Sequence, residues 1–238
     1  MFIKFLKWLY KDLLSIKAPY KTTNNFEPIA HAGGAIDDKI YTNSKEALLK
    51  AIEDGYKFIE IDLRKSLGGN YFGAHKITEF NDITGHKLWS IIPPTIKQIK
   101  RRKIYNKFTP ILLTEIAEIL KEHPDVVLVT DKAEDYKQIL KEFPLKEQLV
   151  VEVTSFYKYI KARKAGIKYV ALNTSDFGFA KENNISMVVT TTNVDLEEAN
   201  RYVEEGNNVL IATYAKSTLI PSIINKRNFF AYIDTLIK

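Results

Sequence analysis

The sequence predicts a (β/α)8 TIM barrel carrying an amino-terminal amphipathic helix and a lid-like insertion. Three observations carry this. Seven short apolar runs of strand length alternate with helical patterns from Phe26 onward, the signature of parallel strands joined by crossover helices. The regularity and number of those runs fit a closed barrel better than a short open sheet. No Gly-rich dinucleotide or phosphate-binding loop follows the first run, which argues against the runner-up, a doubly wound sheet.

The elements follow in order. Residues 1–17 place Phe2, Phe5, Leu6, Leu9, Leu13 and Ile16 on one helical stripe, with Lys4, Lys7 and Lys11 opposite. Such a helix lies in a membrane interface or packs over one end of a domain. A polar connector, Ala18 to Phe26, leads into a body spanning 26–238, so 1–25 is set apart from the barrel. FEPIAH reads as the first strand and SKEALLKAIEDG as the helix after it, with Asn43 and Glu46 spaced as a capping box and Gly55 as the stop. YKFIEIDL is the next strand. Residues 76–110, with Gly85, Pro93-Pro94 and the run Lys100-Arg101-Arg102-Lys103, read as an insertion or lid. LLTEIAEILKEH, DVVLVTD, EDYKQILKEF, QLVVEVT, FYKYIKARKAG, KYVALNT, ISMVVTT, DLEEANRYVEEG and NVLIATY continue the alternation, and Gly166 and Gly206 close two of these helices.

Composition narrows the chemistry. The 238 residues are 45% hydrophobic and 27% charged, with a formal charge of +6 and no cysteine. A chain of this size buries a sufficient core without disulfides. Cysteine nucleophiles and thiolate metal sites are excluded, and a cytoplasmic location, peripheral to the membrane if 1–17 binds lipid, is expected. The positive charge favours anionic partners, but no nucleic-acid-reading motif accompanies it. No apolar run approaches the length of a membrane span.

In a parallel barrel, polar residues at the carboxyl ends of strands form the active site. Four endings qualify: His31 before Gly33-Gly34; Glu60 and Asp62, which period-two geometry puts on one strand face; His75 after the Gly68-Gly69 turn; and Asp131 with Lys132. Carboxylates gathered inside a barrel require a cation or protonation to keep them there, and a hard divalent ion is the economical solution. Oxygen ligands from Glu60, Asp62 and Asp131 suit Mg²⁺ or Ca²⁺. Two histidines beside such a metal suit paired proton transfer, one assisting the nucleophile and one protonating the leaving group, and the implied chemistry is phosphodiester cleavage. Glu152, within an apolar strand, is a further ligand or the partner of a lysine.

The segments IAHAGGAIDDKIYTNSKEALLKAIEDGYKFIEIDL, GAH around His75, FTPILLTEIAEIL and LVTDKAED occur in order from Ile29 to about Asp135. In these the sequence resembles the glycerophosphodiester phosphodiesterases, within the superfamily that includes bacterial phosphatidylinositol-specific phospholipase C. The opening His-Ala-Gly-Gly resembles the branch with that motif. The resemblance implies His31 and His75 as the acid/base pair, Glu60, Asp62 and Asp131 as ligands of a divalent metal, and a glycerophosphodiester or phospholipid headgroup as substrate. The nucleophile is water or a substrate hydroxyl.

Three departures stand out. Ala32 replaces an arginine that follows the first histidine in much of the family. Lys76 stands where an aspartate follows the second, so a partner orienting the His75 ring is absent or supplied elsewhere. Ala133 occupies the place of a phosphate-binding lysine, and Lys132, its substitute as a substrate-binding residue, points the other way on a regular strand unless a local bulge redirects it. The rival reading is a catalytically impaired barrel that binds anions or lipid surfaces.

Overall fold

A computed structural model of the chain describes residues 27–86, 91–191, 194–212 and 229–233. The amphipathic stripe of 1–17 and its connector lie outside the described residues. The chain divides into two units, the first spanning 29–149.

This unit contains β1 (Glu27–Ala30, from Ile29 on), a short 3₁₀ turn at His31–Gly33, α1 (Lys45–Glu53), β2 (Phe58–Glu60), and a hairpin of β3 (Leu63–Lys65) and β4 (Tyr71–Gly73). Next come α2 (Ile77–Ile83), α3 (Ile96–Arg101), α4 (Leu113–Lys121), β5 (Val127–Thr130) and α5 (Tyr136–Glu142). The second unit holds β6 (Leu149–Val153, from Val150 on), α6 (Phe156–Ala165), β7 (Tyr169–Asn173), α7 (Phe177–Glu182), β8 (Met187–Thr191), α8 (Leu196–Glu204), β9 (Asn208–Ala212) and β10 (Phe229–Ile233).

The sheet closes into a barrel in the order β1-β10-β9-β8-β7-β6-β5-β2. The expected (β/α)8 architecture is therefore the observed one. The sequence reading lacks its eighth strand, β10, and helix α7; α7 has only six residues, which leaves little periodicity to detect. Parallel registers set Ala30 beside Ile59 and Glu60 beside Val129, which brings the carboxyl ends of β1, β2 and β5 together.

Between β2 and α4 the chain leaves the barrel. The β3–β4 hairpin and α2–α3 share an apolar cluster of Phe72, Phe80, Ile99, Ile104, Phe108 and Leu112, each at most 6% exposed. Residues 76–110 therefore contain folded helices. The buried Glu142 of α5 anchors the hairpin by accepting from the Tyr71 N–H at 2.9 Å and the Asn70 amide at 3.1 Å.

The expected capping box at α1 does not form. Ser44 is the cap and its hydroxyl accepts from the Ala47 N–H. Asn43 sits at φ 47°, and its side chain bonds Asp62 instead of the helix amides. Glu46 instead accepts from the Thr109 N–H at 2.7 Å and from its hydroxyl at 2.6 Å. A tertiary partner outcompeted the local one.

Burial pushes the Glu46 carboxyl up, but the two Thr109 hydrogen bonds outweigh it and hold it below its ordinary pKa. A depressed carboxylate stabilises the fold above its unfolded pKa, and that contribution is lost as pH falls through the folded value. Glu46→Gln is therefore expected to lower stability by about 1 kcal/mol at neutral pH, with the difference fading in acid. Urea unfolding at both pH values checks this; a difference independent of pH counts against it.

Candidate metal and acid-base site

Glu60, Asp62 and Asp131 each present a carboxylate oxygen, and these three atoms lie within 4.8 Å of one another. Glu60 and Asp62 are 3% and 1% exposed. They are held from several sides. The Ala32 N–H donates to Glu60 Oε2 at 2.8 Å. That amide is aimed by an unusual run in which Ala32, Gly33 and Gly34 all have positive φ, between 50° and 90°. At Gly33 a Cβ would come within 3.2 Å of Ala47 and Ile61, so the turn requires glycine for space as well as conformation.

Asn43 grips Asp62 twice. Its Nδ2 donates to Asp62 Oδ2 at 3.0 Å, and its Oδ1 accepts from the Asp62 N–H at 2.9 Å. The residue read as a helix cap is thus a positioning residue for an acid, and only its place 19 residues upstream in a folded chain reveals it. Asn43→Ala removes both bonds and leaves alanine in a left-handed conformation. We expect a loss of about 3 kcal/mol, read by urea unfolding; a loss under ~0.5 kcal/mol would show that solvent replaces the amide.

His31 follows β1 as the first residue of the 3₁₀ turn, and its Nε2 lies 3.9 Å from Glu60 Oε2, with the ring edge-on to Tyr41 at 4.7 Å. His75 follows β4. It is placed by the Ala74 N–H, which donates to the Asp62 carbonyl at 2.9 Å, and by Arg64, whose Nε donates to the His75 carbonyl at 2.9 Å. The His75 ring nitrogen Nδ1 is 2.8 Å from Glu79 Oε2. The partner missing at position 76 is thus supplied one helical turn on, with Lys76 bonded to the same Glu79 carboxylate at 3.0 Å.

Lys132 departs most from a regular strand. β5 stops at Thr130, Lys132 adopts φ 59°, and the Ala133 N–H folds back onto the Asp131 carbonyl at 2.7 Å. This tight turn, in place of a bulge, swings the ammonium into the acid cluster. Nζ lies 2.8 and 3.0 Å from the two Asp131 oxygens and also contacts Asp62 Oδ1. Burial alone raises the Asp62 carboxyl, but Lys132 and Asn43 outweigh it and hold it low. Burial and then the Asp62 charge push Asp131 up. Burial lowers the Lys132 ammonium, and the two aspartates more than reverse that.

The donor set fits a hard divalent ion. Three carboxylates and one ammonium leave a formal −3 + 1 = −2 when all are ionised, and every candidate ligand atom is oxygen. Glu152 of β6 is not one of the three clustered acids.

No family model and no curated protein matches the chain. Solved structures do. A glycerophosphodiester phosphodiesterase from Agrobacterium tumefaciens has a TM-score of 0.67 at 12% identity, covering 88% of this chain and 97% of its own. One from Parabacteroides distasonis has a TM-score of 0.67 at 17% identity, covering 89% and 94%. A phosphodiesterase from Oleispira antarctica, solved with its product sn-glycerol-3-phosphate, has a TM-score of 0.65 at 16% identity, covering 86% and 92%. The chain has the barrel fold of these solved phosphodiesterases.

Proposed function

We propose that the protein is a divalent-metal-dependent phosphodiesterase that hydrolyses glycerophosphodiesters, or a related phospholipid-derived diester, to an alcohol and glycerol phosphate. The observation that carries it is the convergence of three carboxylates and two histidines at the carboxyl ends of β1, β2 and β5 and just after the hairpin. The shared fold supports it, as does the product held by the Oleispira antarctica protein.

Glu60, Asp62 and Asp131 would hold Mg²⁺ or Ca²⁺. When bound, such an ion polarises the phosphoryl group and neutralises charge developing on its oxygens. The histidines move the protons. Glu79 accepts from His75 Nδ1, which leaves Nε2 as the nitrogen that exchanges a proton with substrate. His31, directed at Glu60, serves the other oxygen of the displacement, so one ring relieves the nucleophile of its proton while the other protonates the leaving oxygen. Ala32, which lacks the family's guanidinium, contributes its backbone N–H to Glu60. Residues 1–17 are proposed to rest on an anionic membrane surface. No helix among the described residues is long and apolar enough to cross one.

The deciding assay is hydrolysis of glycerophosphocholine and glycerophosphoethanolamine by the purified protein, with EDTA and with added Mg²⁺ or Ca²⁺. Metal-dependent release of glycerol phosphate is expected, and ³¹P spectra separate a water nucleophile from a substrate hydroxyl through any cyclic product. Glycerol phosphate binding without turnover on any diester would establish the anion-binding reading instead.

A further inference from the structure

The basic run at 100–103 belongs to neither the barrel nor the acid cluster. It borders a cleft of about 410 Å³ lined by Thr84, His86, Arg101, Arg102, Lys103 and Asn106, among others, with no carboxylate in its lining. None of these residues belongs to the acid cluster.

Arg102 is the informative member. It is 7% exposed, its Nη1 donates to Asn81 Oδ1 at 2.5 Å, and its guanidinium lies 5.8 Å from the Phe80 ring centroid. Its Nε is buried with no hydrogen-bond partner, and among the described residues no carboxylate acts on its charge. Burial pulls the guanidinium below its ordinary pKa, as expected of a cation whose charge is not met. A buried, uncompensated charge is costly, and an anion in the adjoining cleft is what would compensate it. The position of Arg101 in the last turn of α3 suits the helix dipole, but the dipole accounts neither for the burial of Arg102 nor for the cations beside it. Lys103 donates to the Thr109 hydroxyl at 2.7 Å and retains two further ammonium hydrogens. His86 turns Nδ1 to the Thr84 carbonyl at 2.7 Å, leaving Nε2 for another partner.

We propose that this cleft is a second anion site, separate from the acid cluster, that binds a phosphate group through Arg101, Arg102 and Lys103. A guanidinium fork and neighbouring ammonium match the tetrahedral oxygens of phosphate, whereas the acid cluster repels them without a metal. The phosphate is carried either by a small soluble anion or by a lipid headgroup. The site does not depend on the protein being a hydrolase.

The test uses the full-length protein in EDTA. The chain has four histidines, so the His86 ring resonance is assignable from a His86→Gln spectrum. Titration with inorganic phosphate, against chloride at matched ionic strength, is expected to shift that resonance saturably. The double variant Arg101→Ala/Lys103→Ala changes two exposed side chains and should weaken the apparent Kd by at least ~tenfold. Arg102→Ala also breaks the bond to Asn81, so the exposed pair is the cleaner test. A second arm measures cosedimentation with phosphatidylcholine vesicles with and without phosphatidic acid. Saturable, phosphate-specific shifts lost in the double variant assign a soluble phosphate. Vesicle binding that depends on phosphatidic acid and on Arg101 and Lys103, with inorganic phosphate silent, assigns a lipid headgroup. If neither arm depends on the pair, or chloride reproduces the shift, the proposal is overturned.

Discussion

Alanine at His31 or His75 is expected to lower kcat by about 10²–10⁴-fold while leaving the unfolding transition close to that of the parent. His75 is the cleaner case, because its side chain is 35% exposed and its removal empties no core space. The two variants should differ in a diagnostic way. The variant lacking the general acid should recover most of its rate on a diester with a nitrophenol leaving group, which needs no proton to depart. The variant lacking the base should not. Glu79→Gln weakens the grip on His75 Nδ1 without touching substrate, so a milder loss, about tenfold, with a displaced pH profile is expected. Full activity in either alanine variant would disprove the acid-base assignment.

Lys132→Met should produce the largest stability change. In EDTA the substitution leaves Asp62 and Asp131 without their shared ammonium beside Glu60, in a cluster where Asp62 is 1% exposed. Breaking a buried pair by removing one partner costs about 3 kcal/mol or more. The pH dependence follows from the depressed Asp62 carboxyl, whose stabilisation is present above its unfolded pKa and lost as pH falls through the folded value. The penalty of the substitution is therefore full at neutral pH and shrinks in acid, where the carboxyls take up protons. Mg²⁺ or Ca²⁺ should restore the loss, because an ion that binds only the folded state stabilises by mass action. The parent, with Lys132 already among the ligands, should gain less from the same ion. Thermal unfolding with and without metal reads all three effects. Parental stability of Lys132→Met in EDTA would show that the ammonium does not reside among the acids.

The limits of reading the site from sequence are visible in individual residues. Glu79 lies four residues after His75, a spacing present in the sequence, but it meets the ring only because Ile77–Ile83 folds as a helix directly after His75. Asn43 looked like a cap because Asn followed three residues later by Glu is a capping pattern. Ser44 forms the cap equally well, which frees Asn43 for Asp62.

Barrel class, most strand and helix identities, and the strand-end places of His31, Glu60, Asp62 and Asp131 were determined locally. They follow from apolar periodicity and glycine stops, which act over a few residues. The gathering of those groups was decided by the parallel register of β1, β2 and β5. The orientation of Lys132 was decided later still, by a left-handed turn whose reward is an aspartate 70 residues away. A single residue's conformation there is set by charge that exists only once the barrel has closed, and no local pattern encodes it.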